Sequence, residues 1–455
     1  MSHESPATLL RDAAERGIRY LKALDERRVY PEPADVRRLE EALRLPVADA
    51  PANASEVLSF LDELGSPATV ASAGGRYFGF VTGGALPATV AANWLATAWD
   101  QNSFGFVSSP AVALFEEAAL EGLKDVLKLP ASAEGTLVTG ATMANFACLA
   151  SARGEMLRRA GWDVESRGLR GAPEITLVAG EEVHASVMKV LGMLGLGRDT
   201  VRRVPVDAQG RMRADDFPRL DGPAIVCLQA GNVNSGAFDP AEHIIPLAHE
   251  QGAWVHVDGA FGLWARVSPG LEDLAGGFDA ADSWATDAHK WLNVPYDCGI
   301  AFVRSPEALH RAMSISGDYL LGGDHRNAMD VTPDSSRRAR AVEVWAALKL
   351  LGRNGLAELV DRNCRQARWL AERLTAAGTE VMNDVVLNQV VVSFGDDERT
   401  RRVTRALQAS GVCWCGGTAW RGRHAMRISL SSWATTDADL EKTLAAILAA
   451  RETAG

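Results

Sequence analysis

Between residues 74 and about 310 the chain alternates short apolar runs with helix-like stretches, and this limits the folds open to it more than any other feature. The runs are TLVTG at 136–140, ITLVAG, AIVCLQAG, AWVHVDG and GIAFVR; the stretches between them include MANFACLASARGEMLRRA and PAEHIIPLAHEQG. Short apolar runs of this kind suit strands buried on both faces. Their alternation with helices puts them in a mainly parallel sheet of the α/β class. At 455 residues the chain is too long for one ordinary core, so two or three domains are expected. Residues 1–73 read as a helical N-terminal arm, with apolar residues at helical spacing in DAAERGIRYLKALDERR and ADVRRLEEALRL on either side of VYPEP. Residues 74–352 form the large α/β domain, and 353–455 a smaller α+β unit containing NQVVVSF and AMRISLSSW. Residues 317–336 are polar, punctuated by Gly and Pro and without periodicity, and read as a long loop of the lid type.

Charge and cysteine usage narrow the function classes. A formal net charge of −11 with no basic stripe argues against nucleic acid and anionic membrane as partners. No run of about 18 uncharged apolar residues is present, and the charged N-terminus lacks the apolar segment of a secretion signal. The six Cys are scattered, and the close pair Cys413 and Cys415 suits two same-face positions on a strand better than a metal site. A reduced, cytoplasmic protein without a metal is the expectation.

Four pieces carry chemistry. WVHVDGAFG ends an apolar run on Asp258, and DAHKW places Lys290 after His289, 32 residues further on. A pyridoxal phosphate enzyme needs such a pair: a Lys to hold the cofactor as a Schiff base and a carboxylate against its pyridine nitrogen. TLVTG followed by ATMANFACLASAR is a strand running into a helix N-terminus, a ready anion site, with Ala141 small and the Thr142 hydroxyl as an added donor. In EEVHASVMKV, His184 lies between a strand and a helix, where a flat imidazole could stack on a cofactor ring. Taken singly, each has a bland reading: a core strand, a surface Lys, an N-capping Thr, a helix-capping His. Their joint occurrence is what favours chemistry.

In this order and spacing the pieces resemble the group II pyridoxal phosphate-dependent amino-acid decarboxylases, the family of the aromatic-L-amino-acid, glutamate, tyrosine, diaminobutyrate and cysteine-sulfinate enzymes. The resemblance runs from GGRYFGFVTGGALPATV to MRISLSSWATTDADLEKTLAAI. It implies the type I, aspartate-aminotransferase-like fold, pyridoxal 5'-phosphate as cofactor, and decarboxylation of an L-amino acid, aromatic ones included, to the amine and CO2. It further implies that Ala141, Thr142, His289 and Lys290 hold the phosphate end and the covalent link, and that His184, Asn232, Asp258 and Ala260 surround the cofactor. Thr82 and Phe80 would lie beside the substrate. Asn102 and Phe104 match residues that the family inserts into the opposite subunit's pocket, which implies a homodimer with shared sites. The family's aromatic-type members carry a loop Tyr that returns a proton after CO2 leaves, but RNAMDVTPD has none. Tyr319 and His325 are the candidates left in the loop. Other outcomes on this scaffold are an aldehyde-forming oxidative decarboxylase, an aldolase-type lyase or an aminotransferase; a non-catalytic homologue is the rival from outside cofactor chemistry.

Overall fold

The computed structural model describes residues 5–44, 46–314 and 325–454. Seven strands form the central sheet: β1 (Glu134–Val138), β2 (Thr176–Gly180), β3 (Arg202–Val204), β4 (Ala224–Gln229), β5 (Trp254–Asp258), β6 (Ser283–Asp287) and β7 (Gly299–Val303). Their order is β1-β7-β6-β5-β4-β2-β3. Strands β6, β5, β4, β2 and β3 pair in parallel, whereas β7 runs antiparallel between β1 and β6. Strands β4, β5, β6 and β7 are buried at every position, which explains why they read as continuous apolar runs rather than alternating ones.

The helix Ala141–Arg159 is buried along most of its length, and its run of Ala, Cys and Ser lets it lie close against β5, β6 and β7. Gly299 and Gly140 meet backbone to backbone at its start, where a Cβ on Gly299 would overlap Gly140. The helix therefore begins directly over the carboxyl end of the sheet.

A four-stranded antiparallel sheet of β8 (Glu380–Val381), β9 (Gln389–Ser393), β10 (Gly416–Trp420) and β11 (Arg423–Ser429) follows in the order β10-β11-β9-β8. It has its own hydrophobic cluster, which includes Phe78 as well as residues from 367 onward. The long helix Ala341–Ala376 leads into it and breaks at Gly352, whose φ of 58° is a left-handed conformation open to glycine at little cost. Residues 76–78 belong mechanically to this smaller sheet: Phe78 N–H donates to the Trp414 carbonyl, Trp414 N–H to Arg76, and Ser429 N–H to Phe78. At the N-terminus, the helices Pro6–Lys22, Pro33–Leu43 and Ala54–Phe60 contain no buried residue.

The lid reading of 317–336 divides at the edge of the described residues. From Arg326 onward the segment is anchored rather than free. Ala328, Val331 and Thr332 are buried, and Arg326 and Arg337 both pair with the buried Glu116, at 3.1 and 2.9 Å. Burial pushes the Glu116 carboxyl up, but the two guanidinium groups outweigh it and hold it below its ordinary value. Glu116→Gln leaves the Arg337 cation buried without its carboxylate, at a cost of about 3–5 kcal/mol. Urea unfolding should show this as a lower midpoint at unchanged slope; an unmoved midpoint would mean that the network adds no net stability.

Candidate active site

The carboxyl ends of β4, β5 and β6 open into a cavity of about 250 Å³ whose wall includes His184, Gln229, Asp258, Phe261, Lys290 and Arg427. Open α/β sheets place ligands at this end of their strands. Asp258, the last residue of β5, is 5% exposed. Its Oδ1 accepts the Ala260 N–H at 3.2 Å and its Oδ2 accepts the Asn145 amide at 3.3 Å. Asn145 must present its nitrogen to that carboxylate, so its oxygen faces His256 Nε2, 2.9 Å away. His256 therefore carries its hydrogen on Nε2, and Nδ1 accepts from the Ser283 hydroxyl at 2.9 Å, which in turn accepts from Trp254 Nε1. The result is a directed chain of donors ending on Asp258. Burial pulls the His256 pKa down to about 4, so the ring is neutral in the folded protein.

His184 caps the helix Ala185–Met193, and its Nδ1 accepts the Ser186 N–H at 3.2 Å. The neutral ring thus keeps its hydrogen on Nε2. Burial lowers its pKa from 6.5, with Lys290 and Arg427 acting in the same direction. The capping and cavity-facing roles coexist in one residue.

Lys290 follows β6 in a tight turn. Its Nζ is 3.5 Å from Asp287 Oδ2 and 5.9 Å from the centroid of Phe261. A Cβ on Gly83 would overlap the Lys290 carbonyl, so glycine is what lets the 79–83 turn close against it. His289 stacks on Tyr296 with ring centroids 4.3 Å apart, accepts the Cys298 N–H on Nδ1, and points Nε2 at Asp287. Burial lowers its pKa also. Ala141 starts its helix with its N–H on Asp287 Oδ1 at 2.6 Å, while the Thr142 N–H and hydroxyl have no protein partner among the described residues.

The remaining expected residues divide. Phe80 lines the cavity, stacked on Trp414 at 5.4 Å, and it and Val81 hold positive φ values of 54° and 58°. Left-handed backbone at such residues costs on the order of 1–3 kcal/mol each, offset here by the burial of Val81 and the Trp414 stack. Thr82 is buried, with Oγ1 3.2 Å from the Tyr296 hydroxyl. Ala260 is in the cavity wall. Asn232 lies between the wall residues Gly231 and Val233; its Oδ1 accepts two N–H groups of its own turn and its Nδ2 donates to Glu182. Asn102 holds the Arg337 N–H and Phe104 accepts from Met329; neither lines this cavity within one chain. His325 stacks on Phe106 at 3.7 Å, away from the cavity wall, and Tyr319 lies outside the described residues.

Sequence reasoning missed Asn145, Gln229, Asp287, Phe261, Tyr296, Trp414 and Arg427. Asn145 had a signal, since it falls one helical turn after Ala141 and so on the same face. Arg427 had none. It reaches the cavity from β11 and donates to the Val233 carbonyl at 3.0 Å, and no carboxylate pairs with it among the described residues.

A primary amine, a carboxylate fixed by its own donor chain and a flat imidazole line a single cavity of an α/β fold, and a helix N-terminus is joined to the amine through Asp287. That donor set matches pyridoxal phosphate, aldehyde, ring nitrogen and phosphate ester together, and defines a pyridoxal phosphate enzyme of the type I fold. Residues 70–394 match the pyridoxal-dependent decarboxylase conserved domain, and the chain belongs to that family, whose cofactor is pyridoxal phosphate. It is 29% identical over 388 residues to the L-2,4-diaminobutyrate decarboxylase of Rhizobium meliloti (strain 1021), covering 80% of this chain and 75% of that protein. It is 30% identical to the acidic amino acid decarboxylase GADL1 of Mus musculus and 29% to the cysteine sulfinic acid decarboxylase of Homo sapiens, in each case over 66% of this chain. Those two alignments span less than two thirds of the relatives, 56% and 62%. In fold it is similar to Oryza sativa TDC with PLP and tryptamine (TM-score 0.90, 22% identity, 100% and 99% of the two chains) and to mouse CSAD (TM-score 0.90, 22% identity, 98% and 99%). No helix among the described residues is long and apolar enough to cross a membrane.

The neutral, buried His256 makes stability depend on pH. Its folded pKa of about 4 lies below the ordinary 6.5, so the unfolded chain takes up the proton first as pH falls. Stability is undiminished above about 6.5 and declines toward 4, by on the order of 3 kcal/mol from this residue. In His256→Gln the loss of unfolding free energy between pH 7 and 4.5 should shrink by a similar amount; equal pH slopes in both proteins would place the acid sensitivity elsewhere.

Proposed function

We propose that the chain removes the carboxyl group of an L-amino acid as CO2 and releases the amine, with Lys290, Asp258 and His184 as the residues that act on the cofactor. The observation that carries this is the convergence of those three side chains on one cavity at the carboxyl end of β4–β6. Bound there, pyridoxal phosphate supplies an electron-accepting ring. Lys290 would provide the amine that holds it covalently. Asp258, fixed by Asn145 and Ala260, keeps a proton on the ring nitrogen, a charge-assisted contact that is strong when buried. His184 presents its Nε2 hydrogen to the cavity, suited to the ring face and to the substrate's carboxylate. Arg427, a half-buried guanidinium without a carboxylate partner among the described residues, suits an anionic group of the substrate. Phe80, backed by Trp414, lines the cavity beside the proposed substrate position, and with the adjoining buried Thr82 it would help orient the substrate.

In this reading two chains complete each site. Leu10, Leu61, Leu95, Trp99, Val107 and Leu114 are exposed apolar residues on the arm, on the helix Pro87–Trp99 and beyond it, a larger apolar surface than single scattered positions need. The same region carries Asn102 and Phe104. His325 is stacked on Phe106, so it travels with them toward a partner's cavity, where it and Tyr319 are the proposed sources of the proton that replaces CO2. The six cysteines are free and buried, which supports a reducing, cytoplasmic setting.

Three experiments test this. Lys290→Ala should abolish turnover and the absorbance of the attached cofactor; borohydride reduction followed by peptide mapping should place the label on Lys290, and a label on another Lys sinks the assignment. An amino-acid panel assayed for CO2, amine and aldehyde reads substrate and outcome together, and aldehyde with peroxide in place of amine would overturn the amine product. Sedimentation at assay concentration should show a dimer with an interface of about 2,000 Å² or more; an active monomer contradicts the shared site.

A further inference from the structure

We propose that Asp287 is an internal anion of the phosphate cup: it holds the cup formed in the cofactor-free chain and weakens the grip on the cofactor's phosphate. The inference rests on the cofactor placement given above and adds a residue that works against the phosphate instead of for it.

Asp287 ends β6, is 2% exposed, and reaches across to the first N–H of the 19-residue helix Ala141–Arg159. Its Oδ1 accepts from Ala141 at 2.6 Å. Its Oδ2 lies 3.5 Å from Lys290 Nζ and 3.5 Å from His289 Nε2. A helix N-terminus, an ammonium and an imidazole N–H are the groups from which a phosphate cup is made. In this chain one carboxylate already draws on all three. The donors left unspent, the Thr142 N–H and hydroxyl, belong to the next residue along the helix, so a phosphate taken up by them lies beside Asp287.

A phosphate monoester carries about −1.5 to −2 charge near neutral pH. Bringing it next to a buried carboxylate is costly, because like charges within about 4–6 Å each disfavour the other's ionised form. The same carboxylate helps the cofactor-free chain. Without it the helix N-terminus, Lys290 and His289 would face one another with no anion between them. Asp287 thus trades affinity for a cup that stays formed when empty. An amide of the same shape keeps the bond from Ala141 on its oxygen and turns an N–H donor toward the phosphate.

The test is equilibrium binding of pyridoxal phosphate, pyridoxal and inorganic phosphate to the cofactor-free protein and to Asp287→Asn, followed by tryptophan fluorescence, with folding checked by circular dichroism. The variant should bind pyridoxal phosphate about tenfold more tightly or better, compete more strongly for inorganic phosphate, and bind pyridoxal, which lacks the phosphate, as the parent does. Unchanged or weaker binding of pyridoxal phosphate by the folded variant overturns the proposal while leaving the site assignment intact. An equal gain for pyridoxal also overturns it, since the effect would not pass through the phosphate. Failure of the parent to take up pyridoxal phosphate at all overturns the site assignment and this proposal with it. If the Asn variant does not fold, Asp287→Ser carries the same comparison, because it too removes the charge.

Discussion

The bond from Asn145 to Asp258 is the contact on which the site's geometry depends. Asn145 lies one turn inside the helix whose first N–H is held by Asp287, and a turn is about 5.4 Å along the axis. One helix therefore positions both the Ala141 N–H on Asp287 and, through Asn145, the Asp258 carboxylate. The donor chain from Trp254 through Ser283 and His256 crosses from β5 to β6 before returning to the helix, so helix and strands cannot shift independently. Every hydrogen in that chain has one consistent placement, which fixes the Asn145 amide and hence the Asp258 carboxylate. A fully satisfied buried network of this kind specifies a single arrangement where an apolar core would tolerate several.

The two acids at the ends of neighbouring strands show how environment divides identical side chains. Asp258 receives only neutral N–H donors, from Asn145 and Ala260, and keeps its charge available for a cation. Asp287 receives a helix N-terminus and faces the ammonium of Lys290, so its charge is already matched. In the proposed cofactor placement the ring nitrogen would face Asp258 and the phosphate the start of the helix Ala141–Arg159.

Much of this was legible in the chain because local pattern and chemistry coincide there. The buried strands gave continuous apolar runs, and Asp258, His184 and Lys290 each sit at a strand-to-loop transition, where side chains turn into the cavity. What escaped was set by tertiary contact. The antiparallel direction of β7 leaves no trace in an all-buried run. Arg427 comes from a different sheet nearly 140 residues after Lys290, and the Asn232 amide is engaged at both ends, by its own turn and by Glu182. The polar segment after Arg326 read as a loop, yet a buried pair of arginines on Glu116 fastens it; charge in the sequence carries no sign of whether it is solvated or paired.

The cavity's two sides belong to different mechanical units. Its floor, Asp258 and Lys290, is continuous with the large sheet. Another part of its wall, Phe80 and Val81, is an extension of the turn that hydrogen-bonds through Arg76 and Phe78 to the small sheet, and Trp414 of that unit backs Phe80. The Ser431 hydroxyl donates to the Thr82 carbonyl, and Gly83 abuts the Lys290 carbonyl, so the two units meet within a few residues of the attachment point. Any displacement of the small unit therefore moves the wall against a stationary floor. The width of the cavity is tied to how the C-terminal sheet is seated, through Phe80 and Val81 on one side and Arg427 of β11 on another.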